Sequence, residues 1–222
     1  MSKPLLTWHV KKLIDHSTSR NNSFECKEKV NSVCRAIDIY YYHHQEASKS
    51  NEFVQAPTVL EQMDSIHAFG ENRIEQDRHT LIAQANAQAC VHSARAIHDL
   101  IAQVINIFLL KGSLGERDCT ISAVRKKLDQ CSLKSHLDEL LDSTEFDYVN
   151  SFVNTIKHRN LISFNEAIDF ANDKHGLIFK DFFFNGKSFA NKTLIELLVT
   201  TDAVKNKAIN SGILVNQALG LD

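Results

Sequence analysis

The chain of 222 residues has few of the two residue types that interrupt regular structure, with only two prolines and seven glycines. Their scarcity favours long, uninterrupted helices. No linker rich in glycine, serine or proline divides the sequence and no internal repeat occurs in it, which excludes solenoid and low-complexity architectures. We expect a main domain at 71–222 and an N-terminal helical extension at 1–70 that packs on it.

The sequence also lacks an excess of charge of either sign. It has 25 Lys and Arg residues against 27 Asp and Glu residues, which gives a formal net charge of -2. This balance argues against sequence-specific duplex DNA as a partner, because such proteins need a basic face that displaces counterions. It leaves room for a small local cationic site.

Motifs for cofactors and disulfides are missing. The five cysteines are odd in number and include no CxxC pair, so neither a disulfide framework nor a zinc site is expected. This use of cysteine fits a reducing, cytoplasmic location. The glycine-rich nucleotide motifs, HExxH and GxSxG are absent as well. No metal or other cofactor is therefore predicted.

Long apolar runs are missing too. The most apolar run, residues 97–110, has 14 residues and contains Asp99. It is too short to cross a bilayer, which takes about 20 apolar residues. The N-terminal residues show no apolar region typical of a signal peptide. No membrane association is expected.

Apolar residues at three- and four-residue spacing dominate what is present. They predict an all-α fold, a helical bundle around one long central helix. Thr58 is expected to cap a short helix, with Glu61 as its capping-box partner. Breaks are expected at 48–57, 70, 112–115, 176 and 185–186. The other helices are predicted over 24–45, 73–110, 120–130, 133–141, 145–159 and 193–218. The helix at 73–110 is either continuous or interrupted near Thr80.

Residues 176–190 depart from the helical pattern, because they are rich in aromatic and β-branched side chains. The dipeptide Asn185-Gly186 suits a type I′ turn, in which both central residues have positive φ. The segment predicts a small β-hairpin. An isolated hairpin is marginal in water, so its phenylalanines are expected to pack on the helices or a second subunit, or to form a ligand surface. The prediction concerns four of the five phenylalanines of this segment, Phe179, Phe182, Phe183 and Phe184.

The long helix is unusually poor in charge, since Arg95 and Asp99 are the only formally charged residues at 80–110. One face of it, with Ala94, Ile97, Ile101, Val104, Ile105 and Phe108, is expected to be buried. The opposite stripe is either an ordinary solvated face or a functional cluster. His92, Arg95 and Asp99 are one and two turns apart, and could hold an anion, orient a base or tie two helices together. The stripe consists of Gln84, Gln88, His92, Arg95, Asp99, Gln103 and Asn106.

A second group of polar residues lies at 149–164, where Asn154, Lys157 and His158 share one side of a helix that ends at Arg159 and Asn160. Basic residues at a helix C-terminus complement the helix dipole, which is one explanation for them. The other is a local cationic pocket for a phosphate or a nucleic-acid backbone.

The charge-poor helix with HSARAIHDLIAQVIN, followed by a helix that ends in KHRN, resembles the HEPN superfamily over about residues 80–200. Members of that superfamily are α-helical and often dimeric. Many are metal-independent ribonucleases, and others bind RNA or nucleotides without cleaving them. The resemblance therefore implies a homodimer with RNA or a nucleotide as its ligand.

The catalytic signature of that superfamily is an Arg, a polar residue that is often Asn, and a His five to seven positions after the Arg. Arg159 and Asn160 match its start, but Phe164, Asn165 and Glu166 stand where the His would be. The resemblance implies weak or no ribonuclease activity, unless another His replaces the missing one. The candidates for that replacement are His92, His98, His158 and His175.

The site predicted on this basis has Arg159, Asn160 and His158 as catalytic residues. Arg73 and His79 also have the required spacing, but chance predicts about one such pair in a chain of this composition. The alternative function is a non-enzymatic helical interaction module, antitoxin-like or otherwise partner-binding. The predicted ligand-binding residues are His92, Arg95, Asp99, Asn154 and Lys157.

Overall fold

The computed structural model describes residues 7–18, 22–67, 71–171 and 174–221. Of these residues 69% are helical, and a small antiparallel strand region lies near the C-terminus. The elements within the described ranges are α1 Val10–Ser17, α2 Ser23–Val54, α3 Val59–Ile66, α4 Glu71–Phe108, α5 Ile121–Lys127, α6 Ser132–Leu141, α7 Thr144–His158, β1 Phe164–Asp169, β2 Lys174–Phe179, β3 Phe182–Phe184, β4 Lys187–Phe189, β5 Lys192–Thr193 and α8 Leu194–Ala218.

Capping side chains begin several helices where the sequence predicts them. Thr58 Oγ1 accepts a hydrogen bond from the Glu61 amide at 3.3 Å and donates one to the Glu61 carboxylate at 2.8 Å. Thr120 caps α5 in the same way, accepting from the Ala123 amide at 3.2 Å. Each cap satisfies a helix N–H group that has no partner within the helix. The predicted starts of α3 and α5 are confirmed.

The break predicted at 48–57 is confirmed in part, and the interruption considered near Thr80 does not occur. α2 continues to Val54, so the break predicted at 48–57 is confined to its last few residues. α4 runs without interruption past Thr80. Both helices contain neither Gly nor Pro, and nothing in their sequence ends them earlier. The break predicted at Gly70 lies outside the described residues.

The strand region is larger than the predicted hairpin. β1 and β2 pair antiparallel from Phe164↔Phe179 to Asp169↔Lys174, and β5 pairs with the other edge of β2. The turn at Asn185 and Gly186 is confirmed, with φ of 47° and 81°, but it joins β3 to β4. Residues 176–179 therefore belong to β2 and not to the predicted hairpin.

The chain divides into two compact units, each formed from segments on both sides of residue 70. The first unit comprises Met1–Asp38, Ala94–Asp147 and Ala203–Asp222. Its core contains the predicted apolar face of α4, and every residue of that face is at most 4% exposed, which confirms the prediction. The residues of this face are Ala94, Ile97, Ile101, Val104, Ile105 and Phe108.

Trp8 joins the N-terminal segment of the first unit to α8. Its indole Nε1 donates to Asn216 Oδ1 at 3.2 Å, and Asn216 Nδ2 donates to the His9 carbonyl at 3.0 Å. Gly212 makes room for the ring, since a Cβ built there would lie 2.6 Å from Trp8 Cδ2. Any larger residue at 212 would displace the indole.

The second unit comprises Ile39–Ser93 and Tyr148–Asp202. Its core is rich in aromatic rings that meet edge to face. Phe152 contacts Phe179 at 5.4 Å and Phe182 at 5.9 Å between ring centroids. Tyr148 contacts Phe182 and Phe189 at 5.4 and 5.9 Å. The strand region is thus held on α7 by aromatic packing, as predicted for Phe179 and Phe182.

Within the described residues, no helix is long and apolar enough to cross a membrane.

Candidate functional site

The end of α7 brings exposed basic side chains together. Lys157 and His158 occupy its last turn, and the backbone N–H groups of Arg159 and Asn160 both bond to the Thr155 carbonyl, at 2.9 and 3.2 Å. All four residues from Lys157 to Asn160 are exposed. No acidic residue occurs at 157–165, so the helix end is locally cationic in a protein whose formal net charge is -2.

Arg159 is held by the β3–β4 hairpin. Its Nη1 donates to the Phe183 carbonyl at 3.0 Å, and its guanidinium carbon lies 4.8 Å from the centre of the Phe184 ring. The cation–π contact and the hydrogen bond restrict the side chain, while the other guanidinium N–H groups remain available. The Phe183 side chain is 59% exposed beside it. This pairing of a fixed guanidinium with an exposed aromatic ring is the feature that the sequence did not predict.

Of the remaining predicted residues of the second unit, His92 and Asn154 are half-buried and Asn160 is exposed. His92 is half-buried; burial lowers its pKa, and the nearby charge of Lys157 lowers the pKa further. Asn154 is half-buried, and its Nδ2 donates to the Asn150 carbonyl at 2.9 Å. Asn160 donates to the Leu161 carbonyl at 3.0 Å. His92 and Lys157 are thus near each other, whereas both asparagines bond to nearby backbone.

Arg95 and Asp99 belong to the first unit, where they bond to each other. Arg95 Nη1 donates to Asp99 Oδ1 at 2.7 Å, and the Arg95 guanidinium carbon lies 5.6 Å from the centre of the Phe146 ring. Further along the same stripe, Asn106 bonds to both the N–H and the C=O of Leu114, at 3.1 and 2.9 Å. In this unit the polar stripe of α4 holds the helix together and fixes the loop that follows it.

The proposed substitutes for the missing histidine differ in accessibility. His98 is fully buried, and its Nε2 donates to the Val204 carbonyl at 2.9 Å. The prediction that His98 could serve as an accessible acid or base is therefore wrong. His175 Nε2 donates to the Ala56 carbonyl at 3.1 Å. His158 is exposed and adjoins Arg159, so it is the candidate nearest to the motif arginine in sequence.

Position 166, one of those where the superfamily histidine could stand, lies in a buried environment, whereas the end of α7 is exposed. Glu166 lies in β1 with its side chain 4% exposed, and accepts hydrogen bonds from Gln62 and, at 2.8 Å, from Ser65. Arg73 Nη1 completes the ion pair at 3.2 Å. Arg73 is therefore engaged by a buried carboxylate, and His79 stacks on Phe53 at 4.0 Å between ring centroids. This buried network has a structural explanation and was not predicted, because its members are far apart in sequence.

In the part of the chain that the structure describes, no three His, Cys, Asp or Glu side chains come together as a metal site. No protein-family model matches the chain, and neither a curated protein nor a solved structure matches it.

Proposed function

We propose that this protein is HEPN-like, that it binds RNA or a nucleotide at the end of α7, and that it has weak or no metal-independent ribonuclease activity. The observation that carries the proposal is Arg159, exposed and held between the Phe183 carbonyl and the Phe184 ring, with Lys157 and His158 preceding it. A guanidinium binds phosphate oxygens through parallel N–H groups. Exposed aromatic rings such as Phe183 stack with bases of single-stranded nucleic acid.

Weak or absent cleavage follows from the proton chemistry. RNA cleavage without a metal needs one group to take the 2′-OH proton and another to protonate the leaving oxygen. An arginine stabilises the charged phosphate but is a poor proton donor or acceptor at neutral pH. Phe164 and Asn165 carry no group suited to the task, and Glu166 is held in its buried network. Of the histidines proposed as replacements, His158 is the exposed one.

Binding is tested by fluorescence anisotropy of a labelled single-stranded RNA at several salt concentrations. Arg159→Ala should weaken binding about fivefold, as expected for loss of about 1 kcal/mol from an exposed charged contact. It should also lower the slope of log K against log salt by about 0.7. Arg117→Ala is the matched control, because it removes an exposed arginine from the first unit. Equal binding by the two variants would mean that the α7 end is only a capped helix terminus.

Cleavage is tested on a fluorogenic RNA in EDTA. We expect no cleavage above background by either the natural protein or His158→Ala. Robust EDTA-resistant activity that His158→Ala abolishes would overturn the proposed lack of cleavage, and would assign His158 as the replacement acid or base.

The second candidate function, a non-enzymatic interaction module, is favoured by one observation. Ile74 and Leu81 on α4 are 68% and 65% exposed and lie seven residues apart, on one stripe of the helix. Exposed apolar side chains on one stripe are typical of a surface that a partner covers. This function takes first place if Arg159→Ala leaves RNA binding unchanged.

A further inference from the structure

A cavity in the second unit lies where α2 ends. It has a volume of about 440 Å³ and is lined by the last turns of α2, the linker after it, His175 of β2 and Ile195 of α8. A smaller cavity of about 170 Å³ shares Asn51, Glu52 and Ile195 with it and continues towards Leu198. The two together form a groove with a polar wall from α2 and an aliphatic wall from α8.

The polar wall carries an uncompensated charge. Glu52 is exposed and makes no ion pair or hydrogen bond with any described residue. The lysines near the groove in sequence are engaged elsewhere, since Lys49 bonds to Glu46 at 2.8 Å and Lys174 bonds to Glu196 at 2.9 Å. The Glu52 carboxylate is therefore available to a cation from outside the chain.

The other groups free on this wall include hydrogen-bond acceptors. Asn51 is 5% exposed, and its Nδ2 donates to Gln55 Oε1 at 2.7 Å, but its Oδ1 has no donor among the described residues. The His175 ring donates through Nε2 to the Ala56 carbonyl, which leaves its Nδ1 as an acceptor. The Asn51 side-chain oxygen is reached by solvent, so the N–H group of a ligand can take the place of water on it.

The opposite wall is apolar. Ile195 is 50% exposed and Leu198 is 5% exposed. The backbone of Gly176 lies close to the polar wall, since a Cβ built there would lie 3.1 Å from Gln55 Cγ. Its φ of 102° is a conformation that favours glycine. A side chain at 176 would crowd Gln55, which lines the cavity, and would be strained at this positive φ.

We propose that this groove binds a guanidinium or primary ammonium group on an aliphatic stem. The cationic head would pair with the Glu52 carboxylate and donate to Asn51 Oδ1, and the stem would lie along Ile195 and Leu198. Two sources carry this chemistry, a free aliphatic amine such as agmatine and the arginine side chain of a peptide. The site is independent of the α7 end and does not rest on the proposed function.

The probes for this proposal are agmatine and N-acetyl-arginine methylamide, with N-acetyl-citrulline methylamide as an uncharged probe of similar shape. Binding is followed by NMR of the uniformly labelled full chain at neutral pH. We expect the Asn51 side-chain amide signals to shift with at least one cationic probe. The citrulline probe should bind about tenfold more weakly than the arginine probe, or not at all.

Glu52→Gln removes the charge and preserves the shape of an exposed side chain, so the fold should be unaffected. It should weaken binding of the cationic probe about tenfold. Asp38→Asn is the matched control, since it removes another exposed carboxylate from the same helix and should leave binding unchanged. Binding of agmatine alone would identify the free amine as the source, and binding of both probes would admit a peptide side chain.

Three outcomes would overturn the proposal. The first is equal affinity for the citrulline and arginine probes, and the second is unchanged affinity of Glu52→Gln for the cationic probe. The third is the absence of any NMR shift at 10 mM agmatine and 10 mM arginine probe, because a dissociation constant of about 10 mM is the weakest that such a contact would give. Arg159→Ala serves as a further control, because it should alter RNA binding and leave the groove unchanged.

Discussion

Acid should destabilise the protein through His98. Its side chain is 0% exposed, its ring meets Phe146 edge to face at 5.3 Å, and its Nδ1 has no hydrogen-bond partner. The pKa of His98 is lowered to about 3, chiefly by burial and also by the charges of Arg95 and other nearby groups. The hydrogen bond to the Val204 carbonyl acts in the opposite direction and raises the pKa. The ring is therefore neutral in the folded protein at every pH at which the fold is expected to persist.

The direction of the effect follows from proton linkage. Because the folded pKa lies below the unfolded value of about 6.5, the unfolded chain binds the proton first as the pH falls. This contribution to stability is complete above about pH 6.5 and is lost progressively between there and about pH 3. At about 1.4 kcal/mol per pH unit, lowering the pH from 7 to 5 should cost about 2 kcal/mol at this residue.

The assay is urea unfolding at pH 7 and pH 5 for the natural protein and for His98→Gln. Glutamine does not titrate, and its amide N–H can replace the donor to Val204. The variant is expected to be less stable at both pH values, but its free energy of unfolding should fall by about 2 kcal/mol less between them. Equal falls for the two proteins would refute the assignment of a buried, neutral His98.

Two further predictions concern the core and assembly. Ile101→Asp should prevent folding, because Ile101 is 0% exposed and an unpaired carboxylate there would cost several kcal/mol. A soluble variant with a cooperative thermal transition would contradict this prediction. Ile74→Asp is the control and should be tolerated, because Ile74 is 68% exposed. We also expect a homodimer at micromolar concentration, because the exposed stripe of Ile74 and Leu81 suits a partner surface. A monomeric mass by light scattering at high concentration would exclude it.

Much of the helical fold follows from local sequence signals. Thr58 and Thr120 cap helices at the expected residues, and the apolar period of α4 identifies its buried face. Asn185 and Gly186 adopt positive φ, as their turn requires. These signals act within a few residues, so neither the partners of a helix nor its place in the core needs to be known.

The strand pairing and the polar contacts depend on partners distant in sequence. β1 contains Asn165, Glu166 and Asp169 and shows no clear alternation, and its strand form comes from pairing with β2. Buried His98 finds its hydrogen-bond partner, a backbone carbonyl, in α8. Buried Glu166 finds its partners in α3 and α4. At the candidate site, the sequence indicates Arg159 but not the hairpin that holds it.

Trp8 is the one tryptophan of the chain, and it bonds to a residue 208 positions later. At about 5–20 residues per second, synthesis of the intervening chain takes roughly 10–40 s. During that time the indole has no α8 to dock on, so this part of the first unit forms late by necessity. Because no other tryptophan emits, intrinsic fluorescence reports the docking of the N-terminal segment on α8 directly. A stopped-flow refolding trace would separate this docking from helix formation, which is monitored by circular dichroism.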